Sequence, residues 1–171
     1  EGSIDGSNCL KLTKESDIGN FASLVYGDPY NVTEYPIISF DYKIRENVKI
    51  NFQVKVGGKW YDIQFTDDPK SYKSLNMFKI GEIENVKKDG KWHNAEFNLY
   101  EMLKKWTDNI IVEEIVMCDW DDEGFMRLEF GRNKKGAIYW IDNFIISKPY
   151  YDKKAALFKI NSEDSGGIDG Y

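Results

Sequence analysis

Residues 37 to 44 alternate strictly, with Ile38, Phe40, Tyr42 and Ile44 on one face and Ser39, Asp41 and Lys43 on the other. That period of two is the signature of a half-buried strand. The following stretch, Val48 to Phe65, is interrupted by Val56-Gly57-Gly58-Lys59. A two-residue Gly-Gly turn there predicts a hairpin pairing Val56 with Lys59, Val54 with Tyr61, Phe52 with Ile63 and Ile50 with Phe65. One face of this hairpin carries Ile50, Phe52, Val54, Val56, Tyr61, Ile63 and Phe65 and is expected in a core. The other carries Asn51, Gln53, Lys55, Trp60, Asp62 and Gln64 and is expected to face solvent, with one large aromatic among polar groups.

Further strand patterns run over Cys9 to Leu12, Met77 to Val86, Lys91 to Leu99, Ile110 to Cys118, Phe125 to Phe130 and Ala137 to Ile146. Only Leu99 to Trp106 has helical spacing, through Leu99, Met102, Leu103 and Trp106, and it is too short for more than a connecting turn or two. Dense strands without alternating helices predict an all-β fold, an antiparallel β-sandwich of jelly-roll type. Two loops stand out, one opening at Thr66-Asp67-Asp68-Pro69 and one running through Asp119-Trp120-Asp121-Asp122-Glu123-Gly124. After Pro149-Tyr150-Tyr151 the composition turns to Ser, Gly and acid, which places a boundary near Lys148. Residues 1–148 are then the module, and 149–171 a linker with the first strand of a following β-domain. The chain begins at Glu1 with no targeting segment and ends within the pattern Gly-Ile-Asp-Gly-Tyr, so it reads as a fragment of a larger protein.

Composition narrows the chemistry. The 171 residues are 15% aromatic and carry a net charge of −6, and no apolar run approaches the ~20 residues a membrane helix needs. Neither a nucleic-acid footprint nor membrane insertion is expected. One His and two Cys cannot supply a four-ligand zinc site of those residues alone. His93 lies in Asp-Gly-Lys-Trp-His-Asn, a turn feeding a strand, and no nucleophile elbow or phosphate loop occurs. Adjacent acids such as Glu113 and Glu114 point to opposite sides of a strand and do not act together. Catalysis is therefore not expected. Cys9 and Cys118 sit in apolar strand patterns and read as free, buried thiols. Asn31-Val32-Thr33 is a glycosylation sequon that matters only in a eukaryotic secretory host.

The stretch DGKWHNAEFNLYEML at residues 89 to 103, with Trp92, Asn98 and Leu99 at the spacing W-x-x-x-x-x-N-L, is followed by YWIDNFII at residues 139 to 146. Together these resemble the galactose-binding-like jelly-roll fold of many carbohydrate-binding modules, over most of residues 8 to 147. The tail DSGGIDGY looks like the opening of an immunoglobulin-like domain of bacterial extracellular proteins, which implies a secreted or cell-surface parent with neighbouring domains in the same chain. In such modules an Asp of the closing strand often holds structural calcium with groups from the N-terminal segment. Here the resemblance implies Asp142, with Asp5 as partner, and calcium requires about six to eight oxygens. The acidic loop with Asp119, Asp121, Asp122 and Glu123 is an alternative, although such a run is usually a solvated turn.

Sugar binding by such modules uses an exposed ring that takes the C–H face of a pyranose, with polar neighbours on the hydroxyls. Trp60 with Gln53 and Asp62 has that chemistry, Arg127 and Glu129 can add to it from a neighbouring strand, and Trp120 is a second ring expected to be exposed. Trp92, Trp106 and Trp140 read as core. The expectation is a non-catalytic carbohydrate-binding module that takes a polysaccharide or glycan. The alternative is a structural or adhesive spacer module of a bacterial surface protein with no small ligand, and a glycan-active enzyme stands third.

Overall fold

The computed structural model describes residues 9–17, 21–66, 77–119, 133–149 and 158–159. Their strands form two sheets. The first has the order β1 (Leu10–Thr13), β10 (Ile138–Ser147), β4 (Ile37–Arg45), β8 (Asp89–Asn98), with β11 (Phe158–Lys159) also paired to β10. The second runs β2 (Ala22–Tyr26), β9 (Ile111–Cys118), β5 (Asn51–Val56), β6 (Lys59–Gln64), β7 (Met77–Glu82), with β3 (Tyr30–Asn31) beside β9. A short helix, α1 (Leu99–Leu103), follows β8 directly. Among the described residues no helix is long and apolar enough to cross a membrane.

The two sheets face each other through aromatic rings, and this makes the fold an all-β sandwich. Phe40 of β4 meets Phe52 of β5 at 5.1 Å between ring centres, Phe52 meets Phe97 of β8 at 5.7 Å, and Tyr42 meets Phe65 at 5.0 Å, edge to face. Phe40, Tyr42, Phe52, Val54, Ile63 and Phe65 are all buried, as the alternation predicts. The hairpin has the expected register, with Val56 opposite Lys59, Val54 opposite Tyr61 and Phe52 opposite Ile63. Gly57 and Gly58 both hold positive φ, +58° and +72°, which a two-residue turn matching strand twist requires and which side-chain-bearing residues resist.

Helix α1 starts where Asn98 caps it, its Oδ1 accepting from the Glu101 N–H at 3.0 Å. Leu99 and Leu103 bury one side of the turn, and Gly81 admits it to β7, since a Cβ there would lie 2.8 Å from Met102 Sδ.

Four features depart from the sequence expectation. The strands β2 and β3 were not foreseen. The β6–β7 pair is parallel, with Trp60 opposite Met77 and Asp62 opposite Lys79, so the second sheet is mixed rather than purely antiparallel. Trp140 and Trp92 lie on the outward face of the first sheet, in the row Lys11, Trp140, Lys43, Trp92. Trp140 is nonetheless buried, because the Lys43 and Lys11 ammonium groups lie 4.8 and 5.9 Å from its ring centre and their stems cover it. Trp106 is exposed rather than core. Both cysteines are free thiols, Cys118 buried and Cys9 half-buried; burial and the nearby Asp142 charge push the Cys9 thiol up from its ordinary value.

Candidate functional site

The outward face of the second sheet carries three of the residues singled out for sugar binding, Gln53, Asp62 and Trp60. Register places Leu24, Val116, Gln53, Asp62 and Lys79 in one row across the sheet. Trp60, Lys55 and Glu114 lie in the next row. The expected solvent exposure of this face does not hold at its centre: Gln53 and Asp62 are each 0% exposed and Asn51 is 2% exposed.

These three form one buried polar cluster. Asn51 donates through Nδ2 to both carboxylate oxygens of Asp62 at 3.3 Å, and Gln53 Nε2 donates to Asp62 Oδ1. Asn51 Oδ1 accepts from the Phe65 N–H at 2.9 Å. The physical reason is that a carboxylate leaves water only where donors replace its hydration, and two amides on the neighbouring strand supply them. Alternation in a sequence separates the two faces of a strand. It does not say that the polar face is wet.

Trp60 is half-buried, and the Lys55 ammonium lies 5.7 Å from its ring centre while also pairing with Glu114 at 2.6 Å. The lysine therefore lies over one face of the ring. Arg127, Glu129 and Trp120, and the strand expected over 125–130, lie outside the described residues. So do Asp5, Asp121, Asp122 and Glu123.

Asp142 is buried on β10 opposite Asp41 of β4, and its Oδ1 accepts from the Asn143 N–H at 2.8 Å. The Asp41 oxygens accept from Asn94 Nδ2 at 3.1 Å and Asn143 Nδ2 at 2.8 Å. Among the described residues no group of three or more His, Cys, Asp or Glu converges. On these donors alone the set falls short of the oxygens a calcium ion takes, and Asp5, the other half of that expectation, is outside them. His93 is structural in its contacts: Nε2 meets Asp89 Oδ1 at 2.8 Å and the ring packs at 5.8 Å from Tyr42.

A second aromatic site lies at the side of the sandwich where α1 closes the gap beside β7. Phe78 and Trp106 are 42% and 49% exposed, with ring centres 5.9 Å apart and planes inclined by 33°. Phe78 rests in turn on Tyr61 at 6.3 Å, so the pair has a fixed base. The helical spacing of Trp106 gives its side of the turn but not its depth. The signal for exposure was its setting, Lys104-Lys105-Trp106-Thr107-Asp108, polar on both flanks.

Compared with protein-family models and with curated protein sequences, the chain matches none at a significant level.

Proposed function

We propose that the chain is a non-catalytic carbohydrate-binding module of a larger extracellular protein, and that its glycan stacks on Phe78 and Trp106 rather than on Trp60. The observation that carries this reading is the exposed pair itself: two large rings, inclined by only 33°, stand open at the edge of the sandwich. Leaving two adjacent rings in water forgoes roughly 25 cal/mol for each Å² of apolar surface, and exposed clustered aromatics mark binding sites more often than isolated ones do. A pyranose presents a flat C–H face to such rings, and stacking of this kind corresponds to dissociation constants near the millimolar scale, about −4 kcal/mol.

The test is affinity electrophoresis through gels containing xylan, hydroxyethylcellulose, galactomannan or mixed-linkage β-glucan, on the wild type and on Trp106→Ala. The reading expects retardation of the wild type in at least one gel, loss of it in Trp106→Ala, and a nearly unchanged melting temperature, because an exposed side chain leaves no cavity behind. A wild type that no polysaccharide retards, with Trp106→Ala melting well below it, favours the spacer module instead.

A further inference from the structure

The helical turn that carries Trp106 separates two surfaces. Met102 and Trp106 face β7, the first against Gly81 and the second on Phe78. Tyr100, Leu103 and Thr107 instead line a cavity of about 450 Å³, together with Lys105, Asp108 and Asn109. That volume lies within the roughly 300–1,000 Å³ of small-molecule sites.

We infer that this cavity is a second subsite of the same glycan site, taking a neutral sugar unit further along the chain from the unit stacked on Trp106; the inference rests on the carbohydrate reading above. The chemistry of the lining selects the ligand. Lys104, which also borders the cavity, is paired with Glu101 at 2.5 Å, so Lys105 and Asp108 are the opposing charges left in the wall and they balance. Asn109 accepts the Ile111 N–H at 2.9 Å through Oδ1, and its Nδ2 lies beside the Gly57 turn. Thr107 Oγ1 accepts the Asn109 N–H at 3.1 Å, holding the wall in shape. Lys105, Thr107 and Asp108, with no net charge among them and set beside the apolar Val32, Leu103 and Ile110, suit a sugar, whose hydroxyls both donate and accept and whose C–H faces are apolar. A uronic acid would meet Asp108 and a chain of net charge −6.

Calorimetric titration tests this with neutral cello-, xylo- and manno-oligosaccharides of increasing length and with oligogalacturonides, on the wild type, Trp106→Ala, Asp108→Trp and Lys105→Ala. Asp108 and Lys105 are exposed, so these changes spare the core. Wild-type affinity for a neutral series is expected to rise about tenfold as the oligosaccharide grows long enough to cross the turn. Asp108→Trp, which blocks the cavity, keeps the short-chain affinity and loses that gain. Lys105→Ala weakens the long chains about fivefold, the worth of one hydrogen bond. Length dependence that survives Asp108→Trp, or a preference for oligogalacturonides, overturns the cavity subsite and leaves the Trp106 platform standing. A wild type that binds no glycan overturns both.

Discussion

Asn133 holds Asp119 twice, through its backbone N–H at 3.3 Å and its side-chain amide at 3.0 Å, both on Oδ2. Asp119 Oδ1 meanwhile accepts the Phe21 N–H at 2.7 Å. Asn133 also accepts the Lys49 N–H at 2.8 Å and donates to the Lys49 carbonyl at 2.5 Å. The next residue, Ile50, bonds in the same way to Thr66, its N–H meeting Oγ1 at 2.6 Å. Residues 49 and 50 therefore tie Thr66, beyond the end of β6 in the second sheet, to Asn133, which precedes β10 of the first sheet and holds Asp119 beyond the end of β9. Asp119→Ala takes the side-chain acceptor from the buried Phe21 and Asn133 backbone N–H groups and leaves the Asn133 side-chain amide with the Lys49 carbonyl alone. It is expected to lower stability by about 2–4 kcal/mol, and urea unfolding measures the loss.

The cluster of Asn51, Gln53 and Asp62 makes a different forecast from the one an exposed sugar-binding face would make. Asp62→Ala removes the acceptor of two buried amides and is expected to destabilise by about 2–5 kcal/mol. Glycan affinity, measured under conditions where the variant is folded, is expected to stay unchanged. A loss of affinity at full stability would return the site to this face.

Tyr30 and Tyr139 bury hydroxyls that meet no hydrogen-bond partner among the described residues. Burial pushes both phenols well above their ordinary value, with the Tyr26 charge adding at Tyr30 and Cys118 and Asp119 at Tyr139. A raised pKa in the fold means that the fold prefers the protonated phenol. The resulting stability is complete below the unfolded value of about 10 and declines as pH rises beyond it. Tyr30→Phe and Tyr139→Phe are expected to be neutral or stabilising by about 1 kcal/mol at neutral pH. Both are expected to lose less stability than the wild type in alkali, as melting temperatures across the alkaline range will record.

The two turn glycines are not equivalent. A Cβ at Gly57 would lie 2.9 Å from Asn109 Nδ2, whereas one at Gly58 meets nothing within 4 Å. Gly58→Ala is expected to destabilise by about 1–2 kcal/mol through its positive φ alone. Gly57→Ala adds a displacement of Asn109, and a larger loss in thermal unfolding is the expected sign of it.

What the chain declares locally, it declares well. The hairpin about Gly57-Gly58 and the alternation from Ile37 to Ile44 were legible because a turn and a period of two are properties of neighbouring residues. Ala22-Ser23-Leu24-Val25-Tyr26 carries no legible strand signal because it is short and mixes small, polar and apolar side chains without a clean period. The depth of a residue is set by what comes to lie over it, which adjacent positions do not reveal. Gln53 and Asp62 look solvent-facing in sequence and are buried, while Trp106 looks like core and is open. Trp140 has apolar neighbours on both sides in sequence, yet it points outward beneath lysine stems. The aromatic pair that carries the functional proposal joins residues 78 and 106, and no spacing rule links them.

The parallel junction of β6 and β7 bears on how the molecule assembles. A hairpin such as β5–β6 can zip from its turn, but a parallel neighbour forms only after the chain has doubled back along the whole strand, so loop closure precedes any reward. Among the described residues the β7 strand also lies at the rim, bonded to β6 alone. It is thus expected to join the sheet late and to open early in hydrogen exchange, ahead of the β5–β9 centre. Because Phe78 belongs to this strand, the aromatic platform has the exchange lifetime of its least protected element, and a ligand that bridges Phe78 to Trp106 would slow amide exchange along β7.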